Sequence, residues 1–301
     1  MGTHLYLRTG PFIVDVETAC EEVITGIKLL YDARCILRRP DFCDYHVEIA
    51  RPLLRRWLRP QAVFQFDGHA PFLPGPKRHA SAMLEWGMNW VIATTAHQYL
   101  IIHAAVVERN GLALLLPAPP GSGKSTLCAG LAFRGWRLLT DELALIRPDT
   151  GDVVALARPV SLKNESIEVM RRFAPEAVMG PPTEGSTKGT IVLMKPPATS
   201  IERIDESARP RWIVFPRYQA GAALKLTERS KAAAFVELGE SAMNYNVLGE
   251  TGFDTMADLI DRCDIADFVY SDLDEAVAFF TAQADAAMRQ EDARPSAVAG
   301  S

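Results

Sequence analysis

The six residues Gly121-Ser122-Gly123-Lys124-Ser125-Thr126 are of the types, at the spacing, that holding a polyphosphate requires. Glycine admits the positive φ values with which successive backbone N–H groups turn toward one point. A helix beginning near Lys124 adds the partial positive charge of its N-terminus. In such loops the lysine ammonium reaches the β- and γ-phosphates, and a hydroxyl at the position of Ser125 ligates Mg²⁺. Pro120 leads into the loop and Thr126 ends it. The pattern G-x-x-x-x-G-K-[ST] asks for glycine at position 118, where this chain has Ala118. Alanine does not adopt positive φ cheaply, so the first turn either differs or keeps φ negative. A dinucleotide fingerprint is excluded, because Thr126 stands where G-x-G-x-x-G needs its third glycine.

Phosphoryl transfer also needs a carboxylate for the metal and often a second group to take the acceptor's proton. Asp141-Glu142 follow the apolar Leu138-Leu139, where an acid at the end of a strand belongs. Neighbours in a strand point to opposite faces, so both acids serve one site only if the strand twists or ends there. Otherwise Asp141 acts alone and Glu142 is a surface residue. His103 is the third candidate. If Asn110-Gly111 forms a two-residue turn, facing residues sum to 221 and His103 lies opposite Ala118, at the mouth of the loop. There its imidazole orients the acids or meets the γ-phosphate; the other reading is a histidine packed in the sheet. Lys163, Lys188 and Arg217 are further candidates for phosphate or acceptor contacts, Lys188 from the polar stretch Gly185-Ser186-Thr187-Lys188-Gly189.

The elements that must position these groups are legible on both sides of the loop. Leu100 to Val107 and Leu112 to Leu116 are β-type runs joined by Asn110-Gly111. An apolar helix follows from Ser125 to Arg134, with Gly135 as its stop. Trp136 to Ile146 reads as one strand, turned back by residues 148–152 into Val153 to Leu156. Hairpins flanking a strand–loop–helix unit predict a mixed sheet rather than a purely parallel one. Two earlier helices are expected, Val16 to Leu30 and Ser81 to Gln98, with a boundary in the proline-rich stretch 71–76. The expected organisation is an N-terminal region over 1–76, a nucleotide-binding α/β domain over 77–282 and a flexible tail over 283–301.

At 48% hydrophobic and 23% charged residues, the chain has an ordinary globular composition. A formal net charge of −5 argues against a general nucleic-acid binder. Five scattered cysteines without a CxxC pair indicate neither a zinc site nor a disulfide framework. No signal peptide or membrane span is expected, and Tyr6 breaks the myristoylation pattern that begins at Met1-Gly2. These features predict a cytoplasmic location, and they leave a homo-oligomer open.

His103-Ala104-Ala105, the loop from Pro120 to Thr126, and Arg134-Gly135-Trp136 leading into Thr140-Asp141-Glu142 together resemble the HPr kinase/phosphorylase superfamily, in its HPr kinase-related branch. Ser161-Leu162-Lys163-Asn164, Lys188-Gly189, Val214-Phe215-Pro216 and Asn244-Tyr245 add to the likeness, which spans roughly residues 85 to 280. Where that family has paired aspartates, this chain has Asp141-Glu142. The resemblance implies a mixed-sheet fold like the nucleotide domain of phosphoenolpyruvate carboxykinase. It also implies ATP- and Mg²⁺-dependent phosphorylation of a serine hydroxyl on a small protein or peptide. Lys124 and Ser125 then bind phosphate and Mg²⁺, Asp141 or Glu142 serves as base or metal ligand, and His103 assists. The alternatives are a small-molecule kinase or carboxykinase-like enzyme, and a nucleotide-dependent switch without transfer.

Overall fold

The computed structural model describes residues 2–52, 60–186 and 189–292. Its first layer is a six-stranded mixed sheet with the order β3-β1-β2-β4-β5-β6. The members are β1 (Thr3–Thr9), β2 (Phe12–Thr18), β3 (Ile36–Leu37), β4 (Tyr45–Ala50), β5 (Gln61–Phe66) and β6 (Gly75–Pro76), with helix α1 (Glu21–Leu30) after β2. The helix expected from Val16 thus starts only at Glu21. The alternating segment Phe12-Ile13-Val14-Asp15-Val16 pairs with β1, Val16 facing Leu5, and period-2 patterning with β-branched residues prevails there over the helical reading. Helix α2 (Ala80–Thr95) lies on this sheet so closely that a Cβ on Gly87 would sit 2.1 Å from the Phe64 ring.

The second sheet holds eight strands in the order β11-β10-β7-β8-β15-β17-β16, with β9 also paired to β7. Its strands are β7 (Leu100–Arg109), β8 (Leu112–Pro117), β9 (Arg137–Thr140), β10 (Leu143–Ile146), β11 (Val153–Val154), β15 (Arg209–Tyr218), β16 (Lys225–Glu228) and β17 (Asp264–Tyr270). β12 (Val160–Lys163), β13 (Thr183–Ser186) and β14 (Gly189–Met194) form a separate three-stranded sheet. The helices are α3 (Lys124–Ala132), α4 (Glu165–Phe173), α5 (Ala198–Glu202), α6 (Lys231–Ser241), α7 (Tyr245–Leu248), α8 (Glu250–Arg262) and α9 (Leu273–Asp292). The large sheet is mixed as expected: β8, β15 and β17 run parallel while β7 pairs antiparallel with β8, β9 and β10.

Period-2 alternation sorts β7 between two cores. Ala105 and Val107 join α3, α4 and α9 on one side, through Leu127, Leu131, Met170 and Phe280. Leu100, Ile102, Ala104 and Val106 face the other side, where Leu238 of α6, Met256 of α8, Met83 and Met88 of α2, and Val14 and Phe64 of the first sheet share one cluster. The first sheet and α1 therefore contribute to the same apolar interior as the large sheet, through Leu7, Val16, Ile27 and Ile49 among others. The expected tail is also shorter than predicted from its small polar residues. α9 continues to Asp292, because Phe280, Ala284 and Ala287 recur at helical spacing and are buried. Residues 293–301 lie outside the described residues. All five cysteines are free thiols, and no helix among the described residues is long and apolar enough to cross a membrane.

Candidate functional site

Three parallel strands, β8, β15 and β17, end at one edge of the large sheet, and the glycine-rich loop follows the first of them. Gly121 and Gly123 adopt φ of +86° and +89°, the left-handed region that a side chain would strain. Ala118 is absent from the positive-φ residues, so its substitution for glycine is accommodated by an ordinary backbone conformation. Two strands brace the loop from outside. The Tyr218 N–H donates to Ser122 O at 2.8 Å, and the Tyr270 hydroxyl donates to Gly123 O at 3.0 Å. Within the loop Ser122 Oγ accepts from the Lys124 N–H at 3.3 Å. The amides of Gly121, Gly123, Ser125 and Thr126 find no acceptor among the described residues, as expected for a helix N-terminus left open toward a ligand. Pro120 and Gly121 are exposed, while Ser122, Ser125 and Thr126 are partly buried.

The hairpin register is the one deduced from Asn110-Gly111: Ala104 faces Pro117 and Arg109 faces Leu112. His103 accordingly stands beside the loop, and its Nε2 accepts a hydrogen bond from Lys124 Nζ at 3.0 Å. Its Nδ1–H donates to the Glu142 backbone carbonyl at 3.1 Å, with a Glu142 carboxylate oxygen 3.4 Å away. These partners require the neutral Nδ1–H tautomer. Burial, reinforced by the Lys124 ammonium, lowers the imidazole pKa and favours that neutral form. Lys124 is only 7% exposed, and burial lowers its pKa against the opposing pull of Asp141 and Glu142.

The expected single strand from Trp136 to Ile146 is broken where the acids sit. β9 and β10 both pair with β7, but Asp141 and Glu142 fall between them. Thr140 Oγ accepts the amides of Glu142 and Leu143 at 3.2 and 3.1 Å, a local turn that pulls the chain out of the ladder. The two acids consequently escape strict alternation and lie close enough to perturb each other. Asp141 is 5% exposed; burial, then the Glu142 charge, push its carboxyl up to about 7. Its Oδ2 accepts from the Ser161 amide at 3.1 Å, and the nearby Ser125 hydroxyl pulls its pKa slightly the other way. Its Oδ1 is buried without a partner. Glu142 is more open, with its side chain 26% exposed and Lys163 Nζ 3.7 Å from it.

No group of three or more His, Cys, Asp or Glu residues able to hold a metal occurs among the described residues. Mg²⁺ does not need one, since it is usually bound through one or two carboxylates with water and substrate phosphates. The unpartnered Asp141 Oδ1 beside the Ser125 hydroxyl is an oxygen donor set that fits such an ion.

Of the other expected contacts, Lys163 joins the site through Glu142. Arg217 is exposed near the end of β15, and Lys188 lies outside the described residues. Sequence reading missed Tyr218 and Tyr270, and gave Ser161 no role of its own; all three reach the site through strand pairing. It also missed Arg158, which lines a cleft together with Asp141, Glu142 and Ser161. There Glu85 of α2 grips the guanidinium at 3.0 and 3.2 Å and receives the Tyr31 hydroxyl at 2.7 Å. Compared with known proteins, the chain matches no family model and no curated sequence.

Proposed function

We propose that this chain is an ATP- and Mg²⁺-dependent phosphotransferase that acts on a serine hydroxyl of a small protein or peptide. The observation that carries the reading is the hydrogen-bonded series Lys124–His103–Glu142, set beside buried Asp141 at the mouth of a positive-φ glycine loop. Lysine, open helix-terminal amides and paired carboxylates meet there, and mere packing requires none of them. The serine acceptor rests on the sequence resemblance.

The open amides of the loop and the Lys124 ammonium bind the β- and γ-phosphates. Lys124 exchanges its imidazole partner for phosphate oxygens, and the neutral His103 remains fixed by the Glu142 carbonyl. Asp141 Oδ1 and the Ser125 hydroxyl would hold Mg²⁺, which would supply charge neutralisation on the phosphates. Glu142, the more exposed acid, faces the acceptor. As the acceptor oxygen bonds to the γ-phosphorus, its proton passes to Glu142 and the bond from the γ-phosphorus to the β,γ-bridging oxygen breaks, releasing ADP. Lys163 and Lys124 offset the negative charge gathered at this point.

The test is incubation with γ-labelled ATP and proteins encoded beside this chain in its genome, with product identification by mass spectrometry. Lys124→Ala is expected to lower turnover by about 10²-fold or more, as for loss of a preorganised electrostatic donor. Undiminished labelling by that variant would refute the mechanism. A phosphorylated metabolite in place of phosphoserine would move the reading to a small-molecule kinase.

A further inference from the structure

We infer that Tyr218 is the stacking platform for the nucleobase, so that the loop which follows β15 forms a purine subsite; this rests on the nucleotide-binding reading above. In open α/β sheets ligands lie outside the carboxyl ends of the parallel strands. Here those ends are Pro117, Tyr218 and Tyr270, on adjacent strands. A nucleoside attached to phosphates in the glycine loop can extend along this edge in two directions. Toward β7 the way is taken by His103, Glu142 and Asp141, the groups assigned to acceptor and metal. The other direction leads across β15 and β17, directly onto Tyr218.

Tyr218 has the properties that this place demands. Tyr218 is 50% exposed, whereas Tyr270 against it is 2% exposed. The two rings meet at 73° with centroids 5.8 Å apart, so the inner ring props the outer one. The Tyr218 amide is tied to Ser122 at 2.8 Å, and its Cβ would lie 2.9 Å from a Cβ on Gly123. The ring is therefore held at a fixed offset from the phosphate loop. The segment beyond it is pinned as well. Gln219 N–H donates to Tyr270 O at 2.9 Å, and Ser271 Oγ donates to Ala222 O at 2.7 Å. A half-exposed aromatic residue on a rigid mount can offer stacking area at small entropic cost, and a purine presents a larger π-face to it than a pyrimidine.

The test is calorimetric titration of the full chain with Mg·ATP, Mg·CTP and Mg·tripolyphosphate, which has no base. The wild type is expected to bind ATP more tightly than CTP, and both more tightly than tripolyphosphate. Tyr218→Ala should weaken ATP binding by about 10- to 100-fold, the usual effect of losing an aromatic stack, and leave tripolyphosphate unchanged. Tyr218→Phe should bind ATP like the wild type. Equal weakening of ATP and tripolyphosphate by Tyr218→Ala would show a mere prop for the loop and overturn the inference; so would no weakening of either. If the wild type takes tripolyphosphate with no gain for ATP, the base subsite alone falls. If it binds neither, the phosphotransferase reading falls, and the subsite with it.

Discussion

Asp141 and Glu142 are adjacent in the chain and have the same chemistry, yet their surroundings divide the work between them. Asp141 is buried with one oxygen on the Ser161 amide and the other unpartnered. Glu142 remains partly exposed between His103 and Lys163. Glu142→Gln keeps the shape but cannot take a proton; turnover should fall roughly 10²- to 10⁴-fold with ATP affinity little changed, as single-turnover kinetics and calorimetry together would show. Asp141 makes a different prediction, on stability. Its folded pKa of about 7 lies above the ordinary carboxylate value, so between the two the folded protein holds a proton that the unfolded chain has released. Stability therefore falls as pH rises through that window. Without nucleotide and Mg²⁺, Asp141→Asn should match the wild-type thermal midpoint near about pH 4 and exceed it progressively toward about pH 8. A gap that stays constant with pH would contradict the burial argument.

Elements place these residues by devices of different legibility. The Asn110-Gly111 turn, with φ of 56° and 80°, fixes the β7–β8 register locally, and that register alone brings His103 to the loop. Gly135, at φ +92°, ends α3 for the same local reason. Such positions are readable because the backbone demands a residue type within a few positions of the feature. The break between β9 and β10 was not readable, since it depends on the Thr140 hydroxyl outcompeting a ladder that the apolar run otherwise favours. Tyr31, Glu85 and Arg158 were unreadable as a group, being 54 and 73 residues apart along the chain. The same holds for the brace of Tyr218 and Tyr270 on the loop, which parallel strand pairing creates. That brace is testable at Gly123, where a Cβ would stand 2.5 Å from the Tyr270 hydroxyl at φ +89°. Gly123→Ala should cost about 1–2 kcal/mol from the left-handed backbone alone, and more from the clash. Adding Tyr270→Phe should recover the part of the clash that the hydroxyl causes, while the contact with the Tyr218 Cβ at 2.9 Å stays, so that urea titrations of the double variant show less than the sum of the single effects. Strict additivity would mean that the hydroxyl does not constrain the loop.

At the scale of the whole molecule, the first sheet and α2 are structural partners of the site-bearing sheet. Val14, Val47, Phe64, Met83, Met88, Ile102, Val106 and Leu115 belong to one buried cluster, and the buried Glu85–Arg158 pair joins α2 to the segment that leads into β12. Removing residues 1–76 would uncover the face of α2 that receives Phe64 and leave Tyr31 missing from Glu85. Without the Tyr31 hydroxyl, Glu85 Oε1 would lose its hydrogen bond, a cost for a buried carboxylate, and large apolar patches on a monomer promote association. The fragment 77–301 should accordingly aggregate, or lack a cooperative melt, whereas the full chain should unfold in one calorimetric transition whose calorimetric and van't Hoff enthalpies agree. Two resolved transitions in the full chain, the upper one reproduced by the fragment, would mean that the cluster is divided. Arg158 would then keep its place beside Asp141 through Glu85 alone, without Tyr31 holding that carboxylate.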